Sequence, residues 1–375
     1  MKKFKAGTWL NQGYYKSFDP SRIQRRWHLD DSGVINLLSK ADRQLGRLDM
    51  YSEYIPNIDL FISMHITKEA TQSSKIEGTQ TRIEEVLMER NLISPEKRDD
   101  WEEVQNYIEA MNSAIKELHN TPFSSRLIRS THRMLMQGVR GADKQPGEFR
   151  KSQNWIGGNS VSDAVFVPPI HETIPELMSD LEKFVHDDET GLPDLIKIAA
   201  MHYQFETIHP FLDGNGRVGR LLITLYLVHC GILKKPFLYL SDYFEKNRLE
   251  YYDNLTRVRE NNDLDRWIRF FLSGVIETAK SSIRTFDGIL QLQKKTDEAI
   301  RSLGARAGNA QKVVLYLYKH PLVSAGEVSM AADVSMPTAY KLIRLLEELQ
   351  ILQEITGTVR GRLYIFREYV KLYSS

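Results

Sequence analysis

A chain of 375 residues with 42% hydrophobic and 26% charged side chains is long enough for more than one packed core and has neither a disordered nor a membrane bias. Its formal charge of +1 leaves no global field that would draw nucleic acid or anionic lipid, so any basic site must be local. Cys230 is the only cysteine; no intramolecular disulfide can form, and the apolar run around it reads as core. The N-terminus is basic but lacks a signal-type apolar segment, and no run of about 18 apolar residues occurs. The expectation is a cytoplasmic protein with no membrane partner.

Helical periodicity dominates, and the fold is expected to be mainly α. Residues 1 to about 60 have a mixed, partly extended start followed by an amphipathic helix around Gly33 to Met50. Asp59 to Glu89 predicts two helices broken at Gly78. Further helices are expected over Asp99 to Leu118 and Ser124 to Gln137. Residues 141–169 mix Gly, Pro, Asn and Ser with short apolar pieces, which predicts a loop with a β-hairpin. Helices resume near Ile174 and continue to about Arg301, where SLGARAGNAQ has the small, flexible composition of a linker. From Asn309 the order helix, short helix, helix, two-stranded wing is that of a winged helix-turn-helix. Three domains follow: an N-terminal helical region 1–95, a core 96–300 and a C-terminal module 309–375.

The segment from Ile208 to Arg220 carries the chemistry. One helix ends at His209-Pro210, a glycine-rich turn follows, and another helix starts near Arg217. Gly214 and Gly216 let backbone N–H groups approach an anion closely, and the next helix adds its positive end. Arg217 and Arg220 share a helix face and can hold different phosphates of one chain, with Gly219 leaving that face uncrowded. Asp213 offers a single carboxylate beside the turn, suited to Mg²⁺. His209 stands at the entrance as a candidate base. A competing metal-centred hydrolase can be drawn from His202, Glu206, His209 and Asp213, but it leaves the glycine turn unexplained. No Walker A string is present.

The string HPFLDGNGRVGR resembles the signature of the Fic family at every defining position. The resemblance implies a helical core that moves AMP from ATP to a Ser, Thr or Tyr hydroxyl of a protein. His209 would take the hydroxyl proton; Asp213 would hold Mg²⁺ on the α- and β-phosphates. Gly214, Asn215 and Gly216 would line the anion hole, and Arg217 and Arg220 would bind the β- and γ-phosphates. ATP is the default nucleotide by resemblance, with other nucleotide donors left open.

In the same reading, residues 147–169 become a flap that pairs with a target segment, with Ile156, Gly157, Val167 and Pro168 as candidates. Tyr251 and Tyr252 cannot share a helix face, and Tyr252 is favoured for the nucleotide pocket. SSKIEG, from Ser73 to Gly78, matches the Fic inhibitory-helix pattern, placed on a helix of about residues 66–78. Ser73 and Glu77 share a face, Gly78 ends the helix, and Glu77 would pair with Arg220 to misalign ATP. Glu77 is also a candidate for positioning the water that removes AMP.

Residues 309–375 hold eight Lys/Arg against six Asp/Glu. Lys341, Arg344, Arg360 and Arg362 are candidate phosphate contacts, so a DNA-binding regulator with the core as sensor or self-modifier is the alternative. Recruitment of a protein target, and a homodimer, remain open for the same module.

Overall fold

The computed structural model describes residues 4–55, 57–138 and 143–373. Its partly extended start is a β-hairpin: β1 (Gly7–Asn11) pairs antiparallel with β2 (Lys16–Pro20), Trp9 opposite Phe18. Sequence periodicity missed it because β1 is exposed along most of its length and offers no buried face to read. Phe18 is fully buried and its N–H donates to the Val167 carbonyl (2.9 Å).

Helices follow: α1 (Ser32–Tyr54), α2 (Asp59–Ile76), α3 (Ile83–Val86), α4 (Arg98–Glu117), α5 (Ser125–Leu135), α6 (Ile174–His186), α7 (Asp194–Ile208), α8 (Asn215–His229), α9 (Ser241–Lys246), α10 (Arg248–Asn261) and α11 (Leu264–Arg301). After a short turn come α12 (Ala307–Lys319), β3 (Leu322–Ser324), α13 (Ala325–Ala332), α14 (Met336–Glu348), β4 (Gln353–Glu354), β5 (Leu363–Ile365) and α15 (Arg367–Lys371). The last three strands form one antiparallel sheet in the order β3-β5-β4. No described helix is long and apolar enough to cross a membrane.

Two helices form the centre. Every residue of α7 from Leu195 to Ile208, and of α8 from Arg217 to Leu227, is buried. A helix covered on all sides belongs to the interior of a bundle, so the turn joining α7 to α8 is held by structure around it. The long α11 braces this centre: Trp267 is fully buried and its indole N–H donates to the Ala199 carbonyl of α7 (2.8 Å).

α2 spans two neighbourhoods. Its first half meets the C-terminal helices through Phe61, which lies edge-on to Tyr318 (5.1 Å) and accepts at its carbonyl from the Tyr373 hydroxyl (3.4 Å). His65 stacks on Phe286 and meets Tyr373 edge-on. One turn further on, the buried Glu69 carboxylate accepts from Tyr107 of α4 (3.0 Å) and from the Ser241 hydroxyl of α9 (2.5 Å). Its second half carries Ser73 to the α8 N-terminus.

Candidate active site

His209 is the C-cap of α7 with φ 51° and ψ 60°, and Gly214 is the N-cap of α8 with φ 73°. A non-glycine residue in the left-handed region costs on the order of 1–2 kcal/mol and persists where its surroundings over-determine it. Here they do. Asn215 clasps Phe211 in both directions, its Oδ1 accepting from the Phe211 N–H (2.8 Å) and its Nδ2 donating to the Phe211 carbonyl (2.9 Å). His132 stacks flat on the Phe211 ring, with centroids 3.7 Å apart. Its Nδ1 accepts from the Gly147 N–H (2.8 Å), so its Nε2–H donates to the Asp213 carbonyl (3.0 Å). Burial pushes His132 down to about 4, which keeps that neutral tautomer.

The His209 ring is half-buried. Its Nδ1 faces the Glu206 carbonyl at 3.4 Å, which orients Nε2 as the acceptor. Burial, then the nearby Arg150 and Arg259 charges, push its pKa down to about 4. A neutral imidazole with its Nε2 unprotonated is competent to accept a proton.

At the α8 N-terminus, Arg220 is 2% exposed and its guanidinium is occupied by α2. Nε donates to the Ser73 hydroxyl (2.9 Å), and Nη2 donates to the Ser73 carbonyl (3.0 Å) and to Glu77 Oε1 (2.6 Å). The same Oε1 lies 2.3 Å from where a Cβ on Gly216 would stand. The carboxylate thus sits against the first turn of α8, where an anion is favoured by free N–H groups and the helix dipole. Burial alone would raise the Glu77 pKa, but the Arg220 charge and hydrogen bond outweigh it and hold the carboxyl below its ordinary range, with Arg217 and His209 adding.

Arg217, expected among the phosphate contacts, is buried against α4 and the end of α5, where Nη1 donates to Glu103 (3.0 Å) and Nη2 to the Met136 sulfur (3.6 Å). Its Nε is buried without a hydrogen-bond partner, so one donor is left over on that side chain. Gly219 departs from expectation. It faces α7 and no open anion space: a Cβ there would stand 2.2 Å from Glu206 Oε1, and its carbonyl accepts from His202 (3.0 Å). Tyr251 is buried and bonded to His202 (2.9 Å), while Tyr252 is 40% exposed and close enough to Glu77 and Arg220 for their charges to act on its hydroxyl.

The flap differs from the expected β-hairpin. Residues 147–169 contain a single antiparallel bridge, Ile156 to Phe166, and no strand. Gly157 and Gly158 both take positive φ directly after Ile156, which turns the backbone out of the extended region, and Asp163 ties the tip to Asn159 and Ser160. Of the four candidates, Ile156 and Gly157 retain surface, whereas Val167 and Pro168 are buried. The Val167 carbonyl is already paired with Phe18, so β2 occupies the edge that the sequence offers to a target. Phe166 beneath the flap is covered by the Arg259 guanidinium at 3.8 Å.

The metal-hydrolase grouping fails on His202. Its Nδ1 faces the Gly219 carbonyl and its Nε2 the Tyr251 hydroxyl, so both nitrogens are in use inside the core. Asp213 fits a different role. Its side chain is 49% exposed, Oδ1 accepts from the Gly214 N–H (2.5 Å), and a single exposed carboxylate is the kind of ligand a Mg²⁺ takes beside phosphate and water.

Two positions that hold the turn escaped the sequence reading. Arg150, 2% exposed, donates to the His209 carbonyl (3.0 Å), and Asn154 donates to that of Phe211 (2.9 Å). Neither falls in a periodic segment or a recognisable spacing; the only signal is a polar residue beside glycines in a long loop. Glu206 is a further buried carboxyl near Arg220, pushed up to about 7 chiefly by burial.

This turn, capped by a left-handed histidine and closed by a buried arginine, belongs to a known class. Residues 35–116 match the Fic/DOC family N-terminal domain and residues 122–227 match the Fic/DOC family domain; the chain belongs to the Fic/DOC family. Among its relatives, the protein adenylyltransferase Fic of Aedes aegypti is 36% identical over 125 residues, 33% of this chain and 22% of that protein. The chain thus spans about a fifth of that relative's length. A probable protein adenylyltransferase of Aquifex aeolicus is 25% identical over 276 residues, 67% of this chain and 80% of that protein. The fold is similar to that of a solved Fic family protein from Desulfovibrio desulfuricans, with a TM-score of 0.59 at 20% identity over 91% of this chain and 98% of that one.

Proposed function

We propose that this protein transfers AMP from ATP to a Ser, Thr or Tyr hydroxyl of a protein, its own chain included, and that Glu77 holds the reaction idle. The hydroxyl oxygen forms a bond to the α-phosphorus as the bond to the β-phosphate bridging oxygen breaks; pyrophosphate leaves and His209 Nε2 takes the proton. Gly214, Asn215 and Gly216 cradle the phosphates and Arg220 binds the terminal one, with Arg217 beside it. Asp213 would hold Mg²⁺, which when bound supplies charge neutralisation along the triphosphate. Tyr252 borders the nucleotide, and Ile156 and Gly157 receive the target. The reading keeps the cytoplasmic location.

The observation that carries this reading is the neutral His209 standing one turn before a helix N-terminus whose arginine is sequestered by Ser73 and Glu77. While Glu77 occupies Arg220, the terminal phosphate lacks its partner and the α-phosphorus is out of line. The test is labelled-AMP transfer by wild type, Glu77→Gly and His209→Ala, with mass spectrometry of the purified protein for an AMP adduct. Glu77→Gly should gain labelling and His209→Ala should lose it; no gain would remove the brake, and labelling by His209→Ala would remove the base. Release of AMP from a pre-labelled target by wild type would assign Glu77 the reverse reaction as well.

A second reading is favoured by one observation. Lys341 and Arg344 are exposed on α14, and Arg360 and Arg362 are exposed between β4 and β5, where a winged helix-turn-helix would present them to a DNA backbone. A gel shift with the full chain should weaken steeply with salt; no shift at low salt would leave the module to a protein target or a homodimer.

A further inference from the structure

Arg150 joins two parts of the molecule that lie far apart in the chain. Its Nη1 donates to the Ser152 carbonyl (3.1 Å) and its Nη2 to the Pro169 carbonyl (2.5 Å), the two roots of the flap. Nε donates to the His209 carbonyl (3.0 Å), and Nη2 also reaches that of Ile208 (3.5 Å). Its own N–H donates to the Pro210 carbonyl (2.9 Å). The last carbonyls of a helix lack intrahelical donors and carry the negative end of its dipole. A planar guanidinium with five fixed donors can satisfy several of them at once, which a lysine ammonium cannot. Asn154 reinforces the joint, its Nδ2 facing the Phe211 and His209 carbonyls.

We propose that Arg150 is a positioning residue for the transfer: it locks both flap roots and the His209 backbone in one register, so that a target laid on the flap meets the imidazole at reacting distance. The inference rests on the transferase reading of the site. Target docking and proton acceptance then share one mechanical reference. The left-handed His209 is a consequence, because the bonds to residues 208–210 fix the carbonyl directions through which the chain must turn.

Geometry and charge can be separated. The groups acting on the His209 ring are Arg150, Arg259, Glu77 and the Glu206 carbonyl. Arg150→Lys keeps a cation and loses the fork; Arg150→Gln loses both. In the full chain carrying Glu77→Gly, both variants should lower kcat for AMP transfer about 100-fold, the scale expected of a misplacement near 1 Å. Affinity for a fluorescent ATP analogue should be unchanged, because Arg150 touches no residue of the phosphate cradle. The acid limb of the pH–rate profile should move to higher pH in Arg150→Gln and stay in place in Arg150→Lys. Wild-type kcat in folded variants would overturn the proposal, as would loss of nucleotide affinity in proportion to kcat. If the Arg150 variants do not fold, Asn154→Ala carries the test: reduced kcat with intact nucleotide binding supports it, and full kcat overturns it. If the Glu77→Gly parent itself transfers no AMP, the transferase reading falls separately. The joint is then read from amide hydrogen exchange over residues 208–211, which must quicken in both Arg150→Lys and Arg150→Gln and whose failure to quicken would reject it.

Discussion

Glu77 and Arg220, 143 residues apart in the chain, meet at 2.6 Å over the first turn of α8. Arg220 is buried and the Glu77 side chain is 35% exposed, so the pair is anchored from the α8 side and open from the α2 side. Charge-assisted hydrogen bonds contribute about 1.5–3 kcal/mol when buried and less at a wet surface. Release of the pair should therefore raise AMP transfer by roughly tenfold. Steady-state labelling by Glu77→Gly against wild type measures this; Glu77→Asp, one methylene shorter, should fall between them.

Acid should destabilise the whole domain. Burial holds His65, His132 and His209 down to about 4 and His202 to about 3, against 6.5 for a free imidazole. Because the folded values are depressed, the unfolded chain takes up protons first as pH falls, and the folded state loses stability from about 6.5 downward. The Glu77 contribution disappears in the same direction, at lower pH, as its depressed carboxyl protonates. Thermal melts from pH 7.5 to about 5 should show Tm falling once the pH drops below about 6.5, and His65→Phe should flatten the slope.

The two glycines of α8 should respond differently to alanine. At Gly219 the new Cβ meets Glu206, a buried residue of α7 whose carboxyl lies against α8; overpacking there should cost about 1–3 kcal/mol. At Gly216 it meets the Glu77 carboxylate, which can swing toward solvent. Gly216→Ala should melt close to wild type while amide exchange at Glu77 and Gly78 quickens. Equal Tm losses would contradict the assignment of the two faces.

Phe61 is 1% exposed between α2 and the C-terminal helices. Phe61→Ala should cost about 3–5 kcal/mol. Hydrogen exchange should accelerate along α2 as far as Ser73, since one helix carries both contacts. Protection retained beyond Glu69 would mean that the Glu69 bonds to Tyr107 and Ser241 isolate the Ser73–Glu77 end of the helix.

Local patterns made much of this legible. The helices α1, α2, α4 and α5 fall close to their predicted spans, because apolar residues at helical spacing report on backbone bonds made within a turn. The string from His209 to Arg220 exposes its own turn, since glycines and a proline punctuate it. Ser73 and Glu77 were readable for the same reason: four residues apart on one helix, ended by Gly78 at φ 112°. β1 was not, because an exposed strand writes no alternation.

The amino-acid sequence by itself determined the helical order, the glycine-rich turn between α7 and α8 and the two groups that confront each other as Glu77 and Arg220. Only the tertiary structure decided that Arg217 faces Glu103, that Gly219 makes room for Glu206, that β2 covers Val167, and that Arg150 ties flap to histidine. Each of these is a contact between segments with no shared periodicity. Their partners are selected by burial and by the need to satisfy buried donors and acceptors, which become defined once the helices have packed.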